Sequence, residues 1–248
     1  MCHKQRLLYE GKAKKLYQTN DEACLLVEYL DQVTALNGLK KEALPGKATL
    51  NNQITSAIFE YLAKTGIETH FIREISKTEQ LVKRIEMFPL EVVVRNIAAG
   101  SFVKRLAIEA GTRLPFPVLE FYYKADELDD PILNEDHVKV LAIASAQQLT
   151  EIKNQALKIN QTLSHLYDEL AITLIDFKVE FGTLADGRII LADEVSPDTC
   201  RLLDQKTGQQ LDKDLYRQGL GDIRPLYAEV LKRLQTINRK KECESCDE

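Results

Sequence analysis

The chain has 248 residues, and 33 Lys+Arg against 38 Asp+Glu leave a formal charge of −5. An apolar fraction of 44% is enough for a proper core, which excludes global disorder. No apolar run approaches the ~20 residues needed to span a bilayer, and the acidic balance argues against general affinity for nucleic acid or anionic lipid, though not against a local pocket for a small anion. Met1 to Tyr9 offers only Leu7-Leu8 as an apolar stretch and does not read as a secretory signal. Five cysteines, an odd count without an export signal, read as reduced cytosolic thiols. Cys243 and Cys246 form C-x-x-C in a charged tail with no further ligand pair nearby in sequence, and are read as incidental.

Taken in chain order, the N-terminal third predicts β structure. Leu7–Glu10 and Lys15–Gln18 flank Gly11-Lys12-Ala13-Lys14, and Cys24–Tyr29 follows a turn at Thr19-Asn20-Asp21. Leu50, Ile54, Ile58 and Leu62 recur every four residues and predict a helix that Gly66 stops. Leu81–Met87 and Glu91–Ile97 read as two strands broken at Pro89. Ser101 is placed as the N-cap of a helix through Ala110, ended by Gly111. Thr112–Pro131, with Pro115, Pro117 and Pro131, reads as a crossing between lobes. Leu149, Ile152, Ala156, Ile159, Leu163, Leu166 and Leu170 step by three and four and form one apolar stripe, a core helix. A last helix starts after Asp222, with Pro225 in its first turn and Leu226, Val230, Leu234 and Ile237 along one side. Short strands in series with segregated helices give an α+β fold.

The most informative segment is 174–194. Ile175, Phe177, Val179 and Phe181 share one strand face, and Asp176, Lys178 and Glu180 share the other. Asp186-Gly187 signals a two-residue hairpin turn, which places Glu180 directly opposite Asp193. Like charges about 5 Å apart across a ladder destabilise it; a divalent cation removes the repulsion, and two carboxylates with positions left for phosphate oxygens suit Mg²⁺. The alternative is a solvated acidic face partly compensated by Lys178. Gly11-Lys12-Ala13-Lys14 puts two ammonium groups one strand period apart and suits a polyphosphate, although no Walker A pattern is present and a basic surface turn fits as well. Val92–Ile97 delivers Arg95 and then a small-residue turn, Ala98-Ala99-Gly100-Ser101, into a helix N-terminus, an anion site or an ordinary strand–turn–helix joint.

Together these segments resemble one family, the SAICAR synthetases (phosphoribosylaminoimidazole-succinocarboxamide synthases). The matching stretches are Tyr9–Lys14, Val93–Ser101 with Lys104-Arg105, Lys124-x-Asp126 with Asp130-Pro131, Asp176–Gly182, Asp193–Asp198 with Arg201, and Asp212-Lys213-Asp214. They run in order from about Leu7 to Leu234. Asp31–Gly38 matches loosely, and Leu203 stands where the family often has tryptophan. The resemblance implies a two-lobed α+β fold, mainly antiparallel, with an ATP-grasp- and kinase-like nucleotide cleft. It implies lobes at 1–112 (nucleotide) and 113–238 (substrates and metal), with 239–248 as a disordered charged tail.

The activity implied is an ATP-dependent ligase that joins the carboxylate of 5-amino-1-(5-phosphoribosyl)imidazole-4-carboxylate (CAIR) to the amine of L-aspartate. The resemblance also implies a cytoplasmic homodimer, with ATP and Mg²⁺ as cofactors. Lys12, Ala13, Lys14 and Lys124 would face the ATP phosphates, and the segment from Val82 to Met87 the adenine. Glu180 and Asp193 would hold Mg²⁺, and Arg95, Ser101 and Arg201 the phosphate and carboxylates of the substrate. Lys178 would neutralise the acyl phosphate, and Asp176 would orient or deprotonate the aspartate amine. A kinase-like phosphotransferase and a nucleotide-sensing module without turnover are the competing readings.

Overall fold

The structure, a computed structural model, describes residues 3–35 and 40–244. Among these, no helix is long and apolar enough to cross a membrane. Strands β1 (Lys4–Glu10), β2 (Lys14–Thr19) and β3 (Cys24–Tyr29) form a meander, with the turn at 11–13 closed by Gly11 N–H donating to Lys14 O at 2.8 Å. A ribbon of β4 (Gln32–Ala35) and β5 (Lys40–Ala43) leads into α1 (Lys47–Lys64). Gly46, which precedes α1, offers no side-chain cap; Asp31 supplies one from a distance, accepting from Ala48 N–H at 2.8 Å. Strands β6 (Phe71–Ser76) and β7 (Glu79–Lys83) then complete a five-stranded sheet in the order β1-β2-β3-β7-β6.

The second sheet is built from longer strands. It contains β8 (Glu86–Ile97), β9 (Arg113–Tyr123), β10 (Ile132–Leu133), β11 (Ile172–Thr183), β12 (Ile189–Ala192) and β13 (Cys200–Asp204). The order is β10-β9-β8-β11-β12, and β13 pairs with the first half of β11; every pairing of these strands is antiparallel. Among the described residues, five further α-helices follow: α2 (Gly100–Leu106), α3 (Glu135–Val140), α4 (Ala146–Glu169), α5 (Asp214–Arg217) and α6 (Arg224–Glu244). Helix α4 lies on β11, and its whole predicted stripe from Leu149 to Leu170 is buried there with Phe177, Val179 and Phe181. Each such side chain removed from water contributes roughly 1.5–3 kcal/mol. Ser145 and Gln148 cap α4 reciprocally. Helix α1 packs on α6, and residues 68–70 bond the edge of β12 through Leu191, so the two sheets face one another across a cleft.

The structure corrects four expectations. The 183–189 turn has Leu184 N–H donating to Arg188 O and Gly187 N–H to Leu184 O, with Gly187 at φ 89°. That is a three-residue loop with glycine in the left-handed position, not a two-residue turn. The register slips by one accordingly, and Glu180 faces Ala192 instead of Asp193. Pro89 lies inside β8, not at its edge: it sits at a register break between the Glu180–Glu91 and Gly182–Met87 pairs, where no ladder bond needs its missing N–H. Residues 113–123 form strand β9 rather than a crossing; β10 covers only its far end, so Pro115 and Pro117 face a free edge.

The fourth correction concerns α2, which stops at Leu106, with Ala107 left-handed at φ 53° and Ala99 as N-cap. The Ser101 hydroxyl lies in the first turn and accepts from Arg95 instead of capping. Helix α6 runs into the charged tail as far as Glu244; Cys246 and residues 36–38 of the Asp31–Gly38 loop lie outside the described residues.

Gly182 sets how closely β8 approaches β11. A Cβ there would stand 2.6 Å from Ile85 Cδ1 and 2.8 Å from Glu86 O, a backbone atom that cannot rotate away. Gly182→Ala is expected to lower stability by about 1–3 kcal/mol, read as a reduced urea midpoint; an unchanged midpoint would mean that the two strands part freely.

Candidate active site

Two cavities adjoin in the cleft. One, of about 360 Å³, has apolar walls from Leu16, Leu25, Val27, Val82 and Met87 and a charged floor of Lys14, Lys178, Glu180 and Asp193. The other, of about 420 Å³, is lined by Arg95, Ser101, Asp176, Arg201, Lys213 and Arg217. Lys12, Ala13, Glu91, Asp130 and Lys178 line both. The charged face read from β11 is thus the common wall, with Asp176 toward one cavity, Glu180 toward the other and Lys178 between them.

Burial forces these charges to pair. Glu180 is 1% exposed; its Oε1 accepts from Lys178 Nζ at 2.8 Å and its Oε2 from Lys124 Nζ at 2.5 Å. Lys178 also donates to Glu91 Oε1 at 2.9 Å. Burial works to discharge Lys178, but Glu180, Glu91 and Asp193 outweigh it and hold its pKa well above the ordinary value. Lys14 Nζ lies 2.5 Å from Asp193 Oδ1 and 3.5 Å from Glu194 Oε2, and is raised in the same way against its own burial. Burial alone would raise the Asp193 carboxyl; Lys14, Lys178 and Lys124 reverse this and hold it far below the usual range. Lys12 reaches Asp126 at 2.7 Å.

Despite the slipped register, Glu180 and Asp193 meet in one cavity. Asp193 follows the last ladder pair of β12, and its φ of 61° turns the chain there. As donors, two carboxylates beside ammonium groups fit a Mg²⁺ that takes its remaining ligands from phosphate and water. Among the described residues no group of three or more His, Cys, Asp or Glu could cage an ion unaided.

In the second cavity Arg95 and Arg201 are each held by carboxylates. Arg95, 3% exposed, donates Nε to Glu120 and Nη1 to Asp176, both at 2.7 Å, and Nη2 to Tyr122 at 3.1 Å and Ser101 at 3.5 Å. Arg201 Nη1 lies 2.9 Å from Asp176 Oδ2 and 3.1 Å from Oδ1, and its Nε donates to Asp214 at 2.6 Å. With both oxygens engaged by guanidinium groups, Asp176 is suited to orienting rather than to taking a proton. Arg201 lies over Gly100, φ 56°, where a Cβ would stand 2.5 Å from its Nη2; only glycine leaves that space.

Glu91, Glu120, Tyr122 and Arg217 carry no motif signal of their own, and Lys213 stands in a family-like stretch without an assigned role. Strand period would have found three of them, because Glu91 alternates with Arg95 on β8 and Glu120 with Tyr122 on β9. Lys213 and Arg217 are four apart around a single short helical turn, too little for a periodic signal.

A family model described as SAICAR synthetase matches residues 7–234. The phosphoribosylaminoimidazole-succinocarboxamide synthase of Enterococcus faecalis is 60% identical over 235 residues, covering 95% of this chain and 99% of that protein. Its counterpart from Lactococcus lactis subsp. cremoris is 57% identical over 94% of this chain and 98% of its own length. Among solved structures, the Ehrlichia chaffeensis synthase superposes with a TM-score of 0.90 at 45% identity, covering 93% of this chain and 98% of that one. A SAICAR synthetase in complex with ADP superposes at 0.89 and 45% identity, covering 92% and 97%.

His70 is buried at the edge of the first cavity, edge-on to Phe59. Burial lowers its pKa from 6.5 to about 4, with Lys14 and Lys83 adding to the effect against the pull of Asp193. The unfolded chain therefore binds a proton that the folded one refuses between these values, and stability falls as pH drops from 6.5 toward 4. The full loss is about 3 kcal/mol. His70→Gln should flatten the curve of unfolding free energy against pH in that window; an unaltered slope would exonerate His70.

Proposed function

The chain belongs to the SAICAR synthetase family, the ATP-dependent ligases that convert CAIR and L-aspartate to SAICAR in purine biosynthesis, and from that premise we propose how its own residues carry the reaction. A carboxylate does not acylate an amine in neutral water, because its oxygen is a poor leaving group. ATP supplies the remedy: a CAIR carboxylate oxygen attacks the γ-phosphorus and ADP departs; the L-aspartate amine then attacks the acyl carbon, inorganic phosphate leaves as that C–O bond breaks, and the nitrogen gives up a proton to form the amide. The protein must hold several anions together and spread their charge.

The nucleotide occupies the cavity with apolar walls, its base against the segment from Val82 to Met87 and its phosphates toward Lys12, Ala13, Lys14 and Lys124. Glu180 and Asp193 would hold Mg²⁺, which when bound neutralises charge on the phosphate oxygens. The phosphate and carboxylate of CAIR occupy the second cavity at Arg95, Ser101 and Arg201, with Asp176 fixing both arginines. Lys213 and Arg217, on the same cavity wall, are assigned to the carboxylates of L-aspartate. The observation that carries this reading is the place of Lys178. It lines both cavities, and so stands where the γ-phosphate would meet the carboxylate.

By residue number, 1–112 is proposed as the nucleotide lobe and 113–238 as the substrate and metal lobe, with β8 and α2 the exceptions, since β8 runs within the second sheet and Ser101 of α2 lines the second cavity. The proposal includes a cytoplasmic homodimer.

Sustained ADP release should require CAIR and L-aspartate together, tested in a coupled assay with each omitted in turn; sustained release without L-aspartate would favour the phosphotransferase reading. Glu180→Gln and Asp193→Asn should each raise the Mg²⁺ concentration needed for half-maximal rate by on the order of tenfold or more, with the far-UV circular dichroism retained. If both variants keep the parent's metal requirement, the two carboxylates are not the ligands.

A further inference from the structure

Lys47 is the first residue of α1 and is 1% exposed. Both facts work against it. A buried ammonium is costly, and a cation at a helix N-terminus opposes the macrodipole. Its Nζ lies 2.5 Å from Asp198 Oδ2. Tyr227, fully buried on α6, donates its hydroxyl to Asp198 Oδ1 at 2.6 Å. Asp198 itself lines the second cavity, whereas Lys47 and Tyr227 line neither.

The third neighbour of Asp198 is Lys213, whose Nζ stands 3.9 Å from the same Oδ2. The backbone repeats the connection, with Lys213 N–H donating to Pro197 O at 3.1 Å. Asp198 therefore anchors Lys213 without capturing it. Lys47 takes the short contact, Tyr227 takes the other oxygen, and the Lys213 ammonium is left at the outer limit of an ion pair on the cavity wall. Withdraw either donor and the Asp198 carboxylate would draw Lys213 in, away from an incoming carboxylate. An apolar trio of similar volume would pack α1 against α6 at least as well, so packing does not explain the charges.

We infer that Lys47 and Tyr227 are positioning residues which, by saturating Asp198, keep Lys213 available to L-aspartate. This rests on the assignment of Lys213 to that substrate made above.

The test measures KM for L-aspartate, CAIR and ATP, with thermal unfolding, for Tyr227→Phe, Lys47→Met and Lys213→Met. Tyr227→Phe should raise KM for L-aspartate by on the order of three- to tenfold, with the other two KM values within twofold and kcat little changed. Lys47→Met should do the same more strongly, and adding Asp198→Asn to it should recover part of the loss by releasing Lys213. Should Lys47→Met fail to fold, Tyr227→Phe carries the test alone. If Lys213→Met raises KM for L-aspartate while Tyr227→Phe lowers only the unfolding temperature, the positioning role is overturned and the assignment of Lys213 stands. If Lys213→Met leaves KM for L-aspartate unchanged, that assignment fails first and the inference falls with it.

Discussion

A strand that carries Asp176, Lys178 and Glu180 on one side and Phe177, Val179 and Phe181 on the other can be buried on both faces only if each charge meets its opposite. The arrangement of the cleft follows from that requirement. Arg95 and Arg201 meet Asp176, Lys124 and Lys178 meet Glu180, and Glu91 meets Lys178. These partners come from β8, β13 and the stretch after β9, so satisfying one strand draws three other parts of the chain into register. Leaving a buried charge unmatched would cost several kcal/mol, comparable with the whole net stability of a domain of roughly 5–15 kcal/mol.

Hydrophobic period was enough to locate the core. The stripe on α4, the alternation on β11 from Phe177 to Phe181 and the four-residue spacing on α1 all emerged as buried faces, because each is long enough for period to outweigh local preference; Ile175, read as part of the β11 face, falls at the register break between Leu174 and Asp176 and is only partly buried, and Leu174 is in the core instead. Failures were confined to places where one residue decides. The glycine in the 183–189 turn took the third loop position instead of the second, and that shifted the ladder by one. Pro89 was tolerated inside a strand because a bulge had already removed the bond it could not make. Ser101 looked like a cap, but Arg95 claimed its hydroxyl.

The candidate site was legible to a different degree. The residues given roles by the resemblance, from Lys12 and Lys14 through Glu180 and Asp193 to Arg201, line the two cavities, whereas Lys104, Arg105, Asp212 and Asp214 of the matching stretches line neither. Their partners were largely hidden, because an ion pair such as Lys47 with Asp198 spans 151 positions and leaves no local trace. The pairing of Glu180 with Asp193 was inferred from a register that proved wrong, yet the two carboxylates share a cavity. The left-handed turn at Asp193 achieves what ladder geometry does not, and aspartate is among the few residues other than glycine that adopt it readily.

The lysines on Glu180 and Asp193 give the cleft a further property. Each carboxylate already has a cation beside it, so on the proposed function the site would act as an ion exchanger: a phosphate chain would claim those ammonium groups at least cost when another positive charge replaces them. A bare nucleotide would leave those two acids without their partners, while one that brings its own cation would leave every charge matched. On the function proposed above, selectivity for a metal-loaded form would follow from the resting cleft, in the side chains that would stand in for its visitors.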